Sequence, residues 1–195
     1  MKNAGRKIYH LSGGLLLIGL YTLAGRTNGL AILASALALA TSVDIARLRI
    51  PAFNAFFYRR LTLFIRESER HRLTGTPPYL LGILLAALLY DAPVCVYAVS
   101  CLACGDVAAT TVGERWGTIK ISGVKSLQGT LAFIAVSVAA GFVISRFWLP
   151  VSPMVYVGGA LVAALVELMP VRVDDNLTIP VVAGGVMTLL MRSGL

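Results

Sequence analysis

The feature that most constrains this chain is the recurrence of long apolar stretches along its length. Residues 11–25, 28–43, 77–90, 92–112, 129–148, 153–169 and 177–192 each hold at most one charged residue. Helices built from such runs satisfy their own backbone hydrogen bonds, so they suit a bilayer, where no water is present to do so. The chain is 57% hydrophobic and only 13% charged, against roughly 25% charged in soluble domains. The expected fold is therefore an all-α polytopic membrane protein with about seven transmembrane helices, a single integral-membrane domain over residues 1–195. Several runs fall short of the ~20 residues of a straight span, so polar flanks or a thin bilayer would make up the length. Prolines such as Pro77, Pro93, Pro150, Pro153 and Pro170 punctuate the ends of the runs. The first run has a basic flank, as a signal peptide does, but "AGRTNG" after it is a weak cleavage site and an uncleaved span is expected.

Charge gives the orientation. With the N-terminus in the cytoplasm and alternating spans, 14 of the 17 basic residues fall inside, Lys2 and Arg172 among them; Arg26, Arg146 and Arg192 are the exceptions. All acidic residues but Asp91 lie on or near the same side. The net charge of +8 is accounted for by this partition, so no nucleic-acid partner is expected. Between the second and third runs, "IPAFNAFFYRRLTLFIRESERHR" mixes aromatics with paired arginines. It reads as an amphipathic cytoplasmic helix at the headgroup level, or as a basic loop that only sets topology.

Polar clusters sit at the expected cytoplasmic ends. "GRKIYHLSGG" places Arg6 and His10 on one helical face with Lys7 beside them, two cations and an imidazole suited to a polyphosphate. Asp44 and Arg47 are spaced for an ion pair, and Glu67 and Glu69 lie among arginines as a solvated face would. In "CGDVAATTVGERWG", Gly105, Ala109, Gly113 and Gly117 form a small-residue stripe, which allows close helix approach and makes a homodimer one expectation. Asp106 lies beside it within the apolar run, where a carboxylate costs about 2.5–3.5 kcal/mol and needs a cation, a metal or a wet cavity. "KISGVKSLQGT" supplies Lys125, Ser126, Gly129 and Thr130 in a turn opening a helix, a candidate phosphate site that lacks Walker A spacing. "VDDNLTIP" offers Asp174, Asp175 and Asn176 as hard oxygen ligands for Mg²⁺, or as a helix cap. Cys101 and Cys104 read as small apolar residues rather than a redox pair.

Taken in order, Arg6-Lys7-x-x-His10, "RLTGTPPYLLG" at 72–82, Gly105-Asp106-x-x-Ala109-x-x-x-Gly113-x-x-x-Gly117, Lys125-Ser126-x-x-Gly129-Thr130 and "DDNLTIP" resemble the CTP-dependent polyprenol kinases. That family includes dolichol, phytol and CTP-dependent diacylglycerol kinases and is distantly similar to CDP-diacylglycerol synthases. The resemblance implies transfer of the γ-phosphoryl of CTP to the hydroxyl of a membrane lipid alcohol on the cytoplasmic side. It implies phosphate contacts from Arg6, Lys7 and Lys125, with Ser126, Gly129, Thr130, Gly105 and Gly113 around them. Mg²⁺ would be held by Asp174, Asp175, Asn176 and Asp106, and Asp106 or His10 would accept the hydroxyl proton. Gln128 stands where an acidic residue is expected, so no metal role is assigned there. Two other readings are a phosphatidate cytidylyltransferase, which would release pyrophosphate, and a small membrane transporter, which the clustering of polar groups at one face disfavours.

Overall fold

The computed structural model describes residues 4–169 and 173–194; Lys2, Pro170 and Arg172 lie outside the described residues. Helices dominate, as the apolar patterning requires. Helix α1 (Ala4–Arg49) takes up the first two expected spans. Gly25 interrupts it with φ 76° and ψ 167°, a backbone conformation open to glycine and closed to most other residues. The chain reverses there. A Cβ on Gly29 would lie 2.9 Å from the Cα of Tyr21, whereas eight residues of straight helix separate two positions by about 12 Å. Arg6, Tyr9 and His10 from one arm and Ala40, Val43 and Asp44 from the other accordingly line one cavity.

The expected amphipathic segment forms α2 (Pro51–Leu61), entered through proline, with no buried residue and with Phe56 53% exposed. A 3₁₀ turn at Glu67–Glu69 follows. Helix α3 (Thr76–Leu89) starts with Pro77 in its first turn. At its far end Arg26 donates to the carbonyls of Leu88 (2.9 Å) and Tyr90 (3.2 Å), which a helix C-terminus leaves without partners.

Next, α4 (Ala92–Ser100), a π turn (Cys101–Gly105) and α5 (Asp106–Trp116) run as one long helix. Its first half is apolar all round and is therefore the central helix: Val96, Ala98, Val99, Leu102 and Ala103 have no exposed surface. Cys101 and Cys104 are free thiols within this packing. A short hairpin, β1 (Lys120–Ser122) and β2 (Lys125–Ser126), turns at Gly123 with φ +55°. Helices α6 (Leu127–Phe147), α7 (Pro153–Leu168) and α8 (Asp175–Arg192) complete the bundle.

Among the described residues three helices, α1, the α4–α5 unit and α6, are long and apolar enough to cross a membrane; α3 and α7 are shorter apolar helices. The small-residue stripe faces inward. A Cβ on Gly105 would strike Phe133 and Ser137, and one on Gly129 would lie 2.9 Å from the Ala109 carbonyl and 3.4 Å from the Gly113 Cα. The stripe is consumed by the α5–α6 contact within one chain, so the homodimer it suggested has no support from it.

Candidate active site

A cavity of about 640 Å³ opens where the two arms of α1, the segment 57–76 and the starts of α3, α5 and α8 meet. Its apolar lining comes from Ala40, Val43, Phe57, Leu61, Phe64 and Ile65, and its polar lining from Arg6, His10, Arg66, Asp106, Asp174, Asp175 and Asn176. A smaller cavity of about 100 Å³ adjoins it and shares Arg6, His10, Arg66 and Asp106, adding Lys7, Thr110 and Glu114.

Each polar group is held by a local cause. His10 stacks on Tyr79 with ring centroids 4.2 Å apart, and Tyr79 Oη donates to the His10 carbonyl at 2.7 Å. The imidazole Nε2 is buried, has no hydrogen-bond partner and lies 3.8 Å from Asp106 Oδ2. Asp106 follows the π turn directly, and its side chain is 25% exposed.

Asp174 and Asp175 open α8. The Asp174 carboxylate accepts from the Asn176 backbone N–H at 2.9 Å, so the expected cap is present alongside the acidic pair. Pro180 lies in the second turn and has no N–H, so the Asn176 carbonyl lacks its usual helical partner. Gly82 of α3 packs directly on that carbonyl; a Cβ there would collide with it. The last glycine of "RLTGTPPYLLG" thus lets α3 seat the start of α8.

Lys125 reaches the same place from β2. Its Nζ donates to Asp175 Oδ2 at 2.9 Å and to the Glu167 backbone carbonyl, and it lies 3.1 Å from Glu167 Oε1. Burial opposes the charge on this ammonium, but the Asp175 hydrogen bond and the two carboxylate charges outweigh it and raise its pKa above that of ordinary lysine. Lys7 is likewise engaged, with Nζ 2.7 Å from Glu114 Oε2.

The sequence motifs divide in space. Arg6, His10, Asp106, Asp174, Asp175 and Asn176 line the main cavity, with Lys125 tied to Asp175. Ser126, Gly129, Thr130, Gly105 and Gly113 lie instead along the α5–α6 contact. Ser126 caps α6 by accepting from Gly129 N–H at 3.2 Å, Thr130 donates back to the Ser126 carbonyl, and Gly113 packs against Ser126. Gln128 ties the hairpin by donating to Thr118 at 2.6 Å.

The segment read as a solvated face contributes most unexpectedly. Arg47 and Asp44 are 1% and 2% exposed and pair at 2.7 Å. Arg47 donates to the carbonyls of Glu69 (3.0 Å) and Arg72 (2.5 Å), while Asp44 Oδ2 accepts from Thr74 N–H (2.7 Å) and Oγ1 (2.9 Å). Glu69, also buried, accepts from the backbone N–H of Arg66 (2.8 Å) and Gly75 (3.1 Å). The loop 66–75 is thereby folded over the cavity. The i,i+3 spacing of Asp44 and Arg47 signalled their pairing; nothing in the sequence signalled what the pair would hold.

Among the described residues no three acidic, histidine or cysteine side chains converge to hold a metal by themselves. The donor set fits Mg²⁺ of a particular kind, which takes one or two carboxylates and completes its shell with water and substrate phosphate.

No protein-family model matches the chain, and no solved structure matches it. Curated relatives do. The CTP-dependent diacylglycerol kinase 1 of Saccharomyces cerevisiae is 29% identical over 96% of this chain and 73% of its own length. That of Schizosaccharomyces pombe is 30% identical over 76% of this chain and 74% of its own. A probable chloroplastic phytol kinase of Triticum aestivum is 28% identical over 92% of this chain and 64% of its own. The likeness spans most of the chain, which therefore belongs to the CTP-dependent polyprenol kinase family and is a membrane-embedded, CTP-dependent lipid kinase.

Proposed function

We propose that the 640 Å³ cavity is the active site, where the γ-phosphoryl of CTP passes to the hydroxyl of a membrane lipid alcohol. The observation that carries this reading is the meeting of Asp106, Asp174, Asp175, His10 and Arg6, drawn from three distant segments, in one cavity with an apolar wall. Phosphoryl transfer needs charge neutralisation and in-line positioning more than covalent participation by the protein. The apolar wall from α2 and α1 suits the first carbons of a lipid, and the polar side suits a triphosphate. Diacylglycerol and phytol, the acceptors in the relatives' names, are the first candidates.

Asp174, Asp175 and Asn176 would hold Mg²⁺, with Asp106 facing them. The ion would supply charge neutralisation at the phosphates. Asp106 is the proposed acceptor of the hydroxyl proton, with the unpartnered Nε2 of His10 beside it. Lys125 acts in this reading by aiming Asp175 as well as by its charge. Ser126, Gly129, Thr130, Gly105 and Gly113 serve the site by fixing α5 against α6. The seven apolar segments cross the bilayer, with the N-terminus and the cavity on the cytoplasmic side; the basic-residue partition supports this orientation.

The deciding experiment supplies purified protein with CTP labelled at the γ position, Mg²⁺ and a panel of lipid alcohols. Label in a lipid monophosphate is the expected result, and its loss in Asp175→Asn places the chemistry in this cavity. Label in pyrophosphate would identify a cytidylyltransferase. Solute flux in proteoliposomes without nucleotide would point to a transporter.

A further inference from the structure

The cations near the cavity fall into two groups. Lys7 is paired with Glu114, Lys125 with Asp175 and Glu167, and Arg47 with Asp44. Arg6 and Arg66 have no carboxylate within ion-pair distance among the described residues. Both line both cavities. They come from separate segments, Arg6 from the first turn of α1 and Arg66 from the head of the loop 66–75, and both bring positive charge to the same two cavities. Asp106, the carboxylate at the proposed reaction centre, lines the same two cavities with them.

Two guanidinium charges lining one cavity repel, and a guanidinium cannot shed its proton to relieve this. Arg66 is exposed over its whole surface taken together, yet its backbone is pinned. Its N–H donates to Glu69, and Glu69 and its neighbours are clasped by the buried Arg47–Asp44 pair. Tyr58 Oη donates to Glu67 at 2.7 Å and Asn54 to the Arg70 carbonyl at 2.9 Å, which ties the same loop to α2. That is a considerable amount of structure committed to the placement of an unpaired cation. An anion between the two arginines would remove the repulsion and engage two planar donor forks suited to phosphate oxygens.

We infer that Arg66 is a second phosphate-binding residue, which binds the triphosphate of the nucleotide together with Arg6. The Arg47–Asp44 pair is its positioning device. This rests on the cavity being the active site, and the test separates the two claims.

Initial rates are measured with CTP and the lipid alcohol varied in turn, for wild type, Arg66→Ala, Arg66→Lys and Asp175→Asn, with inorganic tripolyphosphate as a competing probe. For Arg66→Ala the KM for CTP rises about tenfold or more, the order expected for losing one charge-assisted hydrogen bond. Inhibition by tripolyphosphate weakens in parallel, the acceptor KM stays within about twofold, and Arg66→Lys recovers part of the CTP affinity because it keeps the charge but not the fork. Unchanged CTP KM and unchanged tripolyphosphate inhibition in Arg66→Ala, with Asp175→Asn inactive, would overturn the role of Arg66 and leave the active site standing. Weakened inhibition by the lipid monophosphate product alone would also overturn it, by moving Arg66 to the acceptor side. Full activity of Asp175→Asn would remove the cavity itself from the mechanism. Should Arg66→Ala prove poorly folded, the same reading is taken from Arg66→Gln.

Discussion

Lys125 Nζ lies 2.9 Å from Asp175 Oδ2 and 3.1 Å from Glu167 Oε1, so one ammonium joins the hairpin before α6 to the end of α7 and the start of α8. Its removal has a structural price beyond any lost phosphate contact. Glu167 is nearly buried and would be left with an unmatched charge. Asp175 is more than a third exposed and keeps solvent. Lys125→Ala should therefore destabilise by about 2–3 kcal/mol, less than the 3–5 of fully buried pairs, and should also reduce turnover. Thermal unfolding in detergent together with initial rates checks both. A stable variant with unchanged kinetics would remove Lys125 from the site.

The same contact fixes a pH dependence. The Lys125 pKa is raised in the folded protein, so its stabilisation is fully present below the unfolded value of 10.5 and fades only as pH rises through the higher folded value. The stability gap between wild type and Lys125→Met should be flat from about pH 6 to about pH 9 with respect to this group. Melting curves across that range test it, and a gap that shrinks there would mean the ammonium is not held as described.

Asp174 has one observed role, as a cap, and one proposed role, as a Mg²⁺ ligand, and the two can be separated. As a cap it accepts from Asn176 N–H, and asparagine caps equally well. As a Mg²⁺ ligand it needs its charge. Asp174→Asn should leave the melting temperature unchanged and raise the Mg²⁺ concentration for half-maximal rate by about tenfold. Chelation should abolish turnover in the wild type, with Mg²⁺ restoring it. An unaltered Mg²⁺ requirement in the variant would confine Asp174 to capping.

The close approach of Gly82 to Asn176 is backbone against backbone, so no side chain can move aside. Gly82→Ala should cost about 1–3 kcal/mol and lower kcat by displacing the Asp174–Asn176 turn. Gly13→Ala, where a Cβ meets nothing within 4 Å, is the matched control and should be silent. Equal behaviour of the two variants would contradict the packing.

Asp44→Asn should be more damaging to stability than any surface carboxylate change. Arg47 would stay buried with its charge unmatched, a loss of about 3–5 kcal/mol, and the loop 66–75 would lose its anchor at Thr74. Thermal inactivation half-lives and limited proteolysis within 66–75 report the two effects.

What could be read from the sequence follows from the range of the forces involved. Every expected apolar segment lies on a helix, because hydropathy is a local property and the bilayer requirement acts on each segment alone. Asp106 could be singled out since a carboxylate inside an apolar run has few inexpensive explanations. The acidic start of α8 could be read because Asp174 and Asp175 are adjacent. The loop 66–75 could not: its arginines and glutamates look like a solvated face until Arg47, some twenty residues earlier, is known to hold their carbonyls. At Ser126–Thr130 glycine near lysine suggests a phosphate cradle, and the packing of Gly129 against the Ala109 carbonyl and Gly113 is a second cause that the sequence did not display. Pairing of Lys7 and Lys125 with distant carboxylates was equally beyond reach, and it changes which cations are free for a ligand.

The π turn at Cys101–Gly105 carries one residue more than regular winding would need, and that surplus sets the angular phase of everything after it. Were the same residues wound evenly as α-helix from Ala92 onward, Asp106 would sit about 100° further round the axis, and its carboxylate would face away from His10. A small irregularity in one turn is the compass that points Asp106 inward.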